Sequence, residues 1–207
     1  MTRSAAQTII PALALTLLFA TSCLGGSSRL GLSFSPSPGA QLSRAAVQLV
    51  VVDGRQSKNL VGPEAMNRDL FTGSQSGLVD FKVSLPTGET ISRSMLTIEA
   101  AVFEAVSERL KLQGITAQTG TNGAKARVTV NIVDLSIDLK GSDLASHVRL
   151  DAVMDRPGMD LVVRSSAEAD ASRRKLVGDM GGADSLSEAI TLAVNRVDFS
   201  GLDRFPQ

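Results

Sequence analysis

Residues 127–155 read RVTVNIVDLSIDLKGSDLASHVRLDAVMD, and this stretch decides the fold. Val128, Val130 and Ile132 alternate in one phase, while Val133, Leu135, Ile137 and Leu139 alternate in the other. Side chains along a strand point to opposite faces in turn. A slip of one residue would therefore carry the second apolar set to the wrong face. One extra residue in a bulge absorbs such a slip, so the pattern predicts a single long strand with a β-bulge near Ile132–Val133. Gly141-Ser142-Asp143 then turns the chain, and Val148, Leu150, Ala152 and Met154 mark the next strand. Pro157-Gly158 turns it again, before Leu161, Val163, Ser165, Ala167 and Ala169. Three successive strands joined by short turns predict an antiparallel meander.

Upstream, Ala45–Val52 (AAVQLVVV) is an almost unbroken apolar run, which predicts a strand buried on both faces. Gln56–Gly77 is mostly polar, with turns expected at Gly62-Pro63 and Gly73. Val79, Phe81, Val83 and Leu85 alternate with polar residues and predict a half-buried strand that Pro86-Thr87-Gly88 ends. Ser94 is the expected cap of a helix whose apolar stripe holds Leu96, Ala100, Phe103, Val106 and Leu110. Gly114 suits the position just past its end. Ile115–Gln118 reads as a short strand or loop.

Downstream, Arg173-Arg174-Lys175 reads as a solvated basic edge, and Gly178–Ala183 as a flexible loop. Ser185-x-x-Glu188 has the form of a capping box for a second helix, with Leu186, Ala189, Ile190, Ala193 and Val197 as its stripe. Phe199, Leu202 and Phe205 are expected to close onto the body. The class this order implies is α+β: a mostly antiparallel sheet with a three-strand C-terminal meander and two helices on one face.

The first residues carry a different signal. Arg3 precedes an apolar run from Ile9 to Ala20. Twelve helical residues span about 18 Å, short of the roughly 30 Å of bilayer hydrocarbon. That is the anatomy of an export signal. Ala20-Thr21-Ser22 places small residues directly before Cys23, the only cysteine. The arrangement resembles a bacterial lipobox, in which the cysteine thiol receives a diacylglyceryl group and becomes the new N-terminus. Ala20 stands where such sites usually carry a larger aliphatic residue. Ala20-Thr21-Ser22 also fits ordinary secretory cleavage, which would leave a soluble secreted form with one unpaired thiol. The expected organisation is a signal peptide over 1–22, lipidated Cys23 with a flexible tether over 23–43, and one α+β domain over 44–207. The tether is rich in Gly, Ser and Pro, and the alternation of Leu30, Leu32 and Phe34 also suits a short edge strand.

Several features together resemble the YajG-type outer-membrane lipoproteins. They are the cysteine and polar spacer, a first strand ending in Val51-x-Asp53-x-Arg55 with Gly62 downstream, a helix ending in Leu110-x-x-x-Gly114, a long phase-slipped strand and a C-terminal helix. The resemblance spans residues 44–205. It implies an envelope location and an α+β body, and supplies no activity.

Composition excludes several classes. The formal charge is zero, which argues against the basic face that nucleic-acid binding needs. There is no Trp or Tyr on which bases or sugars would stack. One Cys and one His leave no Cys-based zinc site and no His pair.

Among individual residues, Asp53 and Arg55 share a side of an extended backbone; they read as a strand-end salt bridge, with a surface or partner contact as the functional alternative. Asp134, Asp138, Asp151 and Asp155 read as the solvent face of a sheet, without the spacing of a calcium loop or a catalytic pair. His147 reads as structural or exposed, and no nucleophile-elbow motif accompanies it.

No catalytic residue, cofactor or metal is expected. The expectation is a non-catalytic, lipid-anchored protein on the inner leaflet of the outer membrane, facing the periplasm. It would bind a protein partner in envelope assembly or maintenance. A lipid- or amphiphile-binding lipoprotein is the alternative.

Overall fold

The computed structural model describes residues 30–42, 46–67, 78–120, 126–174 and 180–205. The leader, Cys23 and the first part of the spacer lie outside those residues, as do Lys175 and Gly178. Eight strands, β1 (Leu30–Phe34), β2 (Ala46–Asp53), β3 (Leu78–Ser84), β4 (Thr90–Thr97), β5 (Thr116–Gln118), β6 (Arg127–Lys140), β7 (Asp143–Asp155) and β8 (Val162–Arg174), combine with three helices, α1 (Pro63–Asn67), α2 (Ile98–Leu112) and α3 (Met180–Arg196). A 3-10 turn at Ser200–Arg204 follows.

The larger sheet has the order β5-β2-β6-β7-β8. Its meander is antiparallel, as the turns require, and its register shifts between Ile132 and Asp134. That shift is the bulge the phase slip predicts, with Val133 as the extra residue. Val128, Val130 and Ile132 before it, and Leu135, Ile137 and Leu139 after it, all face inward and are buried.

α2 packs on β2 and β5, α3 packs on β7 and β8, and the two helices meet each other, so both cover the inner face. At their junction the buried Arg109 donates from Nη1 to Val194 O, with its guanidinium 5.7 Å from the centre of the Phe199 ring. Phe199, Leu202 and Phe205 close the core beneath them.

The structure departs from the sequence reading in five places. First, the strands form two sheets. The smaller has the order β1-β3-β4, with β1 parallel to β3. Residues 30–34, expected as spacer or as a short edge strand, form that edge strand and bury Leu30, Leu32 and Phe34 in the common core. Their edge is held by α3, where Ser187, Thr191 and Asn195 recur every four residues and so share one helix face. Ser33 N–H donates to Ser187 Oγ at 2.8 Å and Ser37 N–H to Asn195 Oδ1 at 3.0 Å.

Second, Thr90–Thr97 is a strand that pairs with β3 around the Pro86–Gly88 turn, so Ser94 caps nothing. β3 otherwise lacks a partner on that side, and the hairpin supplies one. The helix starts at Ile98, capped by Thr97 Oγ1, which accepts from Ala100 N–H at 3.3 Å. Its far end does meet expectation, with Gly114 at φ +83°.

Third, α3 begins before Ser185. Ser185 lies inside the helix and donates from Oγ to Ala171 O at 2.9 Å, while Glu188 pairs with Arg173 at 2.6 Å.

Fourth, β2 runs parallel to both β5 and β6. Fifth, β2 is buried on one face only. Val47 and Leu49 are enclosed, and Val52 on the other face is 46% exposed because nothing is layered over that end of the sheet.

Candidate functional site

The outer face of the larger sheet is polar, and a trough lies on it where β2 ends. Asp53, the last residue of β2, is paired with Ile132. Gly54 N–H makes one more bond, to Ile132 O at 3.0 Å, and the chain then leaves the sheet. A Cβ at Gly54 would stand 2.2 Å from Asn131 Oδ1, so any larger residue there displaces the Asn131 side chain.

Arg55 folds straight back onto Asp53. Its Nε donates to Oδ1 and its Nη2 to Oδ2, both at 2.8 Å, and its backbone N–H adds a third bond to Oδ1 at 3.1 Å. The remaining guanidinium nitrogen, Nη1, donates to Leu135 O at 3.1 Å, just past the bulge. Lys58 Nζ reaches Asp53 O at 2.6 Å and Oδ1 at 3.1 Å. The Arg55 and Asp53 side chains are only 5% and 8% exposed. Hydrogen bonding from the Arg55 side chain, opposed by desolvation, holds the Asp53 carboxyl well below the usual carboxylate range. The two residues, read from sequence as a salt bridge or a surface contact, are thus directed at each other and at β6.

Beyond this pair the segment runs beside β6. Ile137 N–H donates to Leu60 O and Gly62 N–H to Ile137 O, both at 2.8 Å. A Cβ at Gly62 would lie 2.3 Å from Asp138 Cγ. Asp138 is fixed there because its Oδ1 accepts from Ala65 N–H at 2.9 Å, in the first turn of α1, and from Leu139 N–H at 2.8 Å. Pro63 opens α1, where its missing N–H costs nothing.

The segment from Gly54 to Met66 therefore runs alongside β6 in the plane of the sheet, through a parallel bridge between Val61 and Ile137, and its exposed side forms one wall of a trough on the outer face. The open trough it bounds has a volume of about 760 Å³. The floor is Val133, Asp134 and Ser136 of β6, His147 and Arg149 of β7, and Glu168 of β8.

Cross-strand register orders these groups. Asp134, Arg149 and Glu168 form one row across three strands, and Ser136, His147 and Asp170 form the next. His147 Nδ1 lies 2.9 Å from Asp170 Oδ1, and Nε2 lies 3.9 Å from Glu168 Oε1. One ligand atom from each of these three residues falls within 4.8 Å of the other two. An imidazole and two carboxylates are donors suited to a divalent transition metal. They also satisfy one another as cross-strand neighbours.

Among the four outer-face aspartates, Asp155 pairs with Arg127 at 2.7 Å, Asp151 accepts from the Ser166 hydroxyl, Asp138 is turned to α1, and Asp134 lines the trough. They do not converge. The arrangement can hold an extended, polar, mixed-charge ligand by hydrogen bonds. The wall itself is what sequence reasoning missed. Gly54 and Gly62-Pro63 signal turns, but nothing in the sequence says that the chain between them lies against β6.

No protein-family model matches this chain, and no curated protein matches it. Solved structures do. The chain is similar to protein XCC0632 from Xanthomonas campestris, of the family DUF330, at 13% identity and a TM-score of 0.45, covering 80% of this chain and 90% of that one. It is similar to PelC from Paraburkholderia phytofirmans, a dodecamer, at 10% identity and a TM-score of 0.38, covering 78% and 95%. It is also similar to the hypothetical protein CT253 from Chlamydia trachomatis, at 10% identity and a TM-score of 0.36, covering 76% and 98%. None of the three carries the YajG name, so that resemblance stays with the sequence features on which it rests.

Proposed function

We propose that this protein is a lipid-anchored envelope protein, akin to the YajG-type lipoproteins, that works by binding a protein partner and not by catalysis. The observation that carries the reading is Cys23, placed directly after three small residues and a short apolar run. Acylation at that sulfur holds the body beside a membrane. One chain anchors weakly and two or three anchor firmly, at about 0.8 kcal/mol per buried CH₂. By resemblance to Gram-negative lipoproteins, in which a residue other than Asp after the cysteine favours the outer membrane, Leu24 supports an outer-membrane location facing the periplasm.

The trough supports a polypeptide occupant. It is open along its length and presents both charge signs from Asp134, Arg149 and Glu168. Exposed Asn59 and Met66 stand on its wall. Its lining is mixed, with charged Asp134, Arg149 and Glu168 on the floor beside apolar Val61, Met66 and Val133, and the charged floor gives less support to the second reading, a carrier of lipid or another amphiphile.

The test is photo-crosslinking in intact cells from positions 59 and 66, with exposed Lys82 on the smaller sheet as the control. A reproducible adduct with one envelope protein from the trough positions alone is expected. Adducts from none of the three, or equally from Lys82, would contradict the proposal.

A further inference from the structure

β8 ends the larger sheet, and it is an unusually regular edge. All thirteen of its residues pair with β7 in unbroken register, from Asp155↔Val162 to Asp143↔Arg174. Natural edges are blunted by proline, bulges or charged side chains; residues 162–174 contain no proline and no bulge, and their five charged residues are what selects the partner.

Its free hydrogen-bonding groups can be assigned. Gly141 (φ +65°) and Ser142 form the two-residue turn between Lys140 and Asp143, which makes those two a hydrogen-bonded pair. Counting along β7 and across to β8, the odd-numbered residues 163–173 bond to β7. The even-numbered residues direct N–H and C=O to the open edge. Glu168 O does face that way, since the exposed Arg196 reaches it from Nη1 at 2.6 Å.

We propose that β8 pairs antiparallel with β8 of a second copy, across a two-fold axis through Ala167. The inference is independent of the proposed function. The argument is the charge pattern. With Ala167 on the axis, residues whose numbers sum to 334 stand opposite. Arg164 then faces Asp170 and Ser166 faces Glu168 within the strand, and Asp160, in the loop just before it, comes level with Arg174, each pair occurring twice. All six side chains are exposed. Arg164 and Arg174 have no ion-pair partner among the described residues.

Neighbouring registers are worse. An axis through Glu168 sets that carboxylate against its own copy and leaves Arg164 opposite Ser172. An axis through Ser166 retains Arg164 with Glu168 but loses both aspartate partners. Opposite charges directly across a strand pair stabilise it, and like charges destabilise it.

The inner face agrees. Ala167 meets Ala167, Ser165 meets Ala169 and Val163 meets Ala171, all small enough for the sheet to continue. Leu161 and Val162, 36% and 46% exposed in the single chain, gain cover from Arg173 and Ser172 of the second copy. Ser166 N–H of that copy takes the place of Arg196 at Glu168 O. The trough wall lies along β6, two strands from the joint, while the trough floor reaches Glu168 of β8 itself.

The test uses the full-length, membrane-anchored protein carrying Ala167→Cys, treated with a mild oxidant in cells and run without reductant. A covalent dimer absent from the wild type is expected, because directly opposed residues of this kind have Cα atoms about 4.5 Å apart, within disulfide reach. Ser165→Cys alone and Ala169→Cys alone should give none, since each lies about 13 Å from its own copy, while the two together should crosslink. Arg164→Asp or Asp170→Arg should weaken the dimer at least tenfold in sedimentation of the detergent-solubilised protein, and the two combined should restore it. A monomer at tens of micromolar with no Ala167→Cys dimer would overturn the proposal. So would equal crosslinking from Ser165→Cys alone, or capture of a different protein by Ala167→Cys.

Discussion

β6 is one strand with two different lives. Before the bulge, residues 127–132 are central, flanked by β2 in parallel and β7 in antiparallel. After it, residues 134–140 keep β7 but have lost β2, which ended at Asp53. On that side the backbone is satisfied piecemeal: Leu135 O by Arg55, and both groups of Ile137 by Leu60 and Gly62. The first half is held by a ladder. The second is held by an ion pair and a glycine-pinned segment, and the trough lies on the outer face beside that segment. A binding surface arises here because a strand partner stops short and side chains finish its work.

The sharpest way to break this comparison is to shift phase on either side of the bulge. Deleting Asn131 turns Val128 and Val130 outward and should abolish folding, a loss on the order of 5 kcal/mol or more judged from the apolar surface exposed. Deleting Val133 should be tolerated, because Ile132 and Asp134 already pair with consecutive residues, Leu150 and Arg149. Its cost of about 1–2 kcal/mol would reflect lost bending and a displaced Arg55 contact. Urea denaturation of the two deletions distinguishes them directly.

Next in size is the ion pair. Asp53→Ala leaves a buried guanidinium uncompensated and should cost about 3 kcal/mol, whereas Asp53→Leu with Arg55→Met should fall within about 1 kcal/mol of wild type. The same carboxyl sets a pH dependence. Its folded pKa is depressed by the Arg55 hydrogen bonds, so the folded state binds fewer protons than the unfolded chain in the acid range. The stabilisation is complete above the ordinary carboxylate value. It declines below about pH 5 as the pH falls toward the folded value. The stability gap between wild type and Asp53→Asn should therefore be flat at neutral pH and narrow on acidification.

The smallest effect belongs to Asp138→Ala, about 1 kcal/mol. It should appear chiefly as faster hydrogen exchange at Ala65, whose N–H loses its acceptor.

The meander of the large sheet was legible because its signals are local, whereas the parallel pairing of β2 with β5 and β6 was not. Alternation at Val128–Ile132 and Leu135–Leu139, the two-residue turn at Gly141-Ser142 and the stripe on α3 each lie within a few residues. The small sheet was not. β1 and β3 are separated by more than forty residues, and β1 earns its place through α3 side chains much farther along. β4 was misread because Leu96 and Ile98 extend a helical stripe past the point where β3 requires a partner. Near the trough, the spacing of Asp53 and Arg55 makes their mutual ion pair legible, but their burial was invisible. It depends on Leu135 O, which only the fold brings near. His147 and its two carboxylate neighbours meet through register alone, which no linear reading supplies.

The functional account rests on the sulfur of Cys23, and intact-mass measurement of the protein extracted from its native membrane tests it most directly. The account predicts a polypeptide that begins at residue 23 and carries the added mass of a diacylglyceryl group, with or without a further acyl chain on the new amino terminus. A free thiol at that position, or a chain that still begins with Met1, would contradict it.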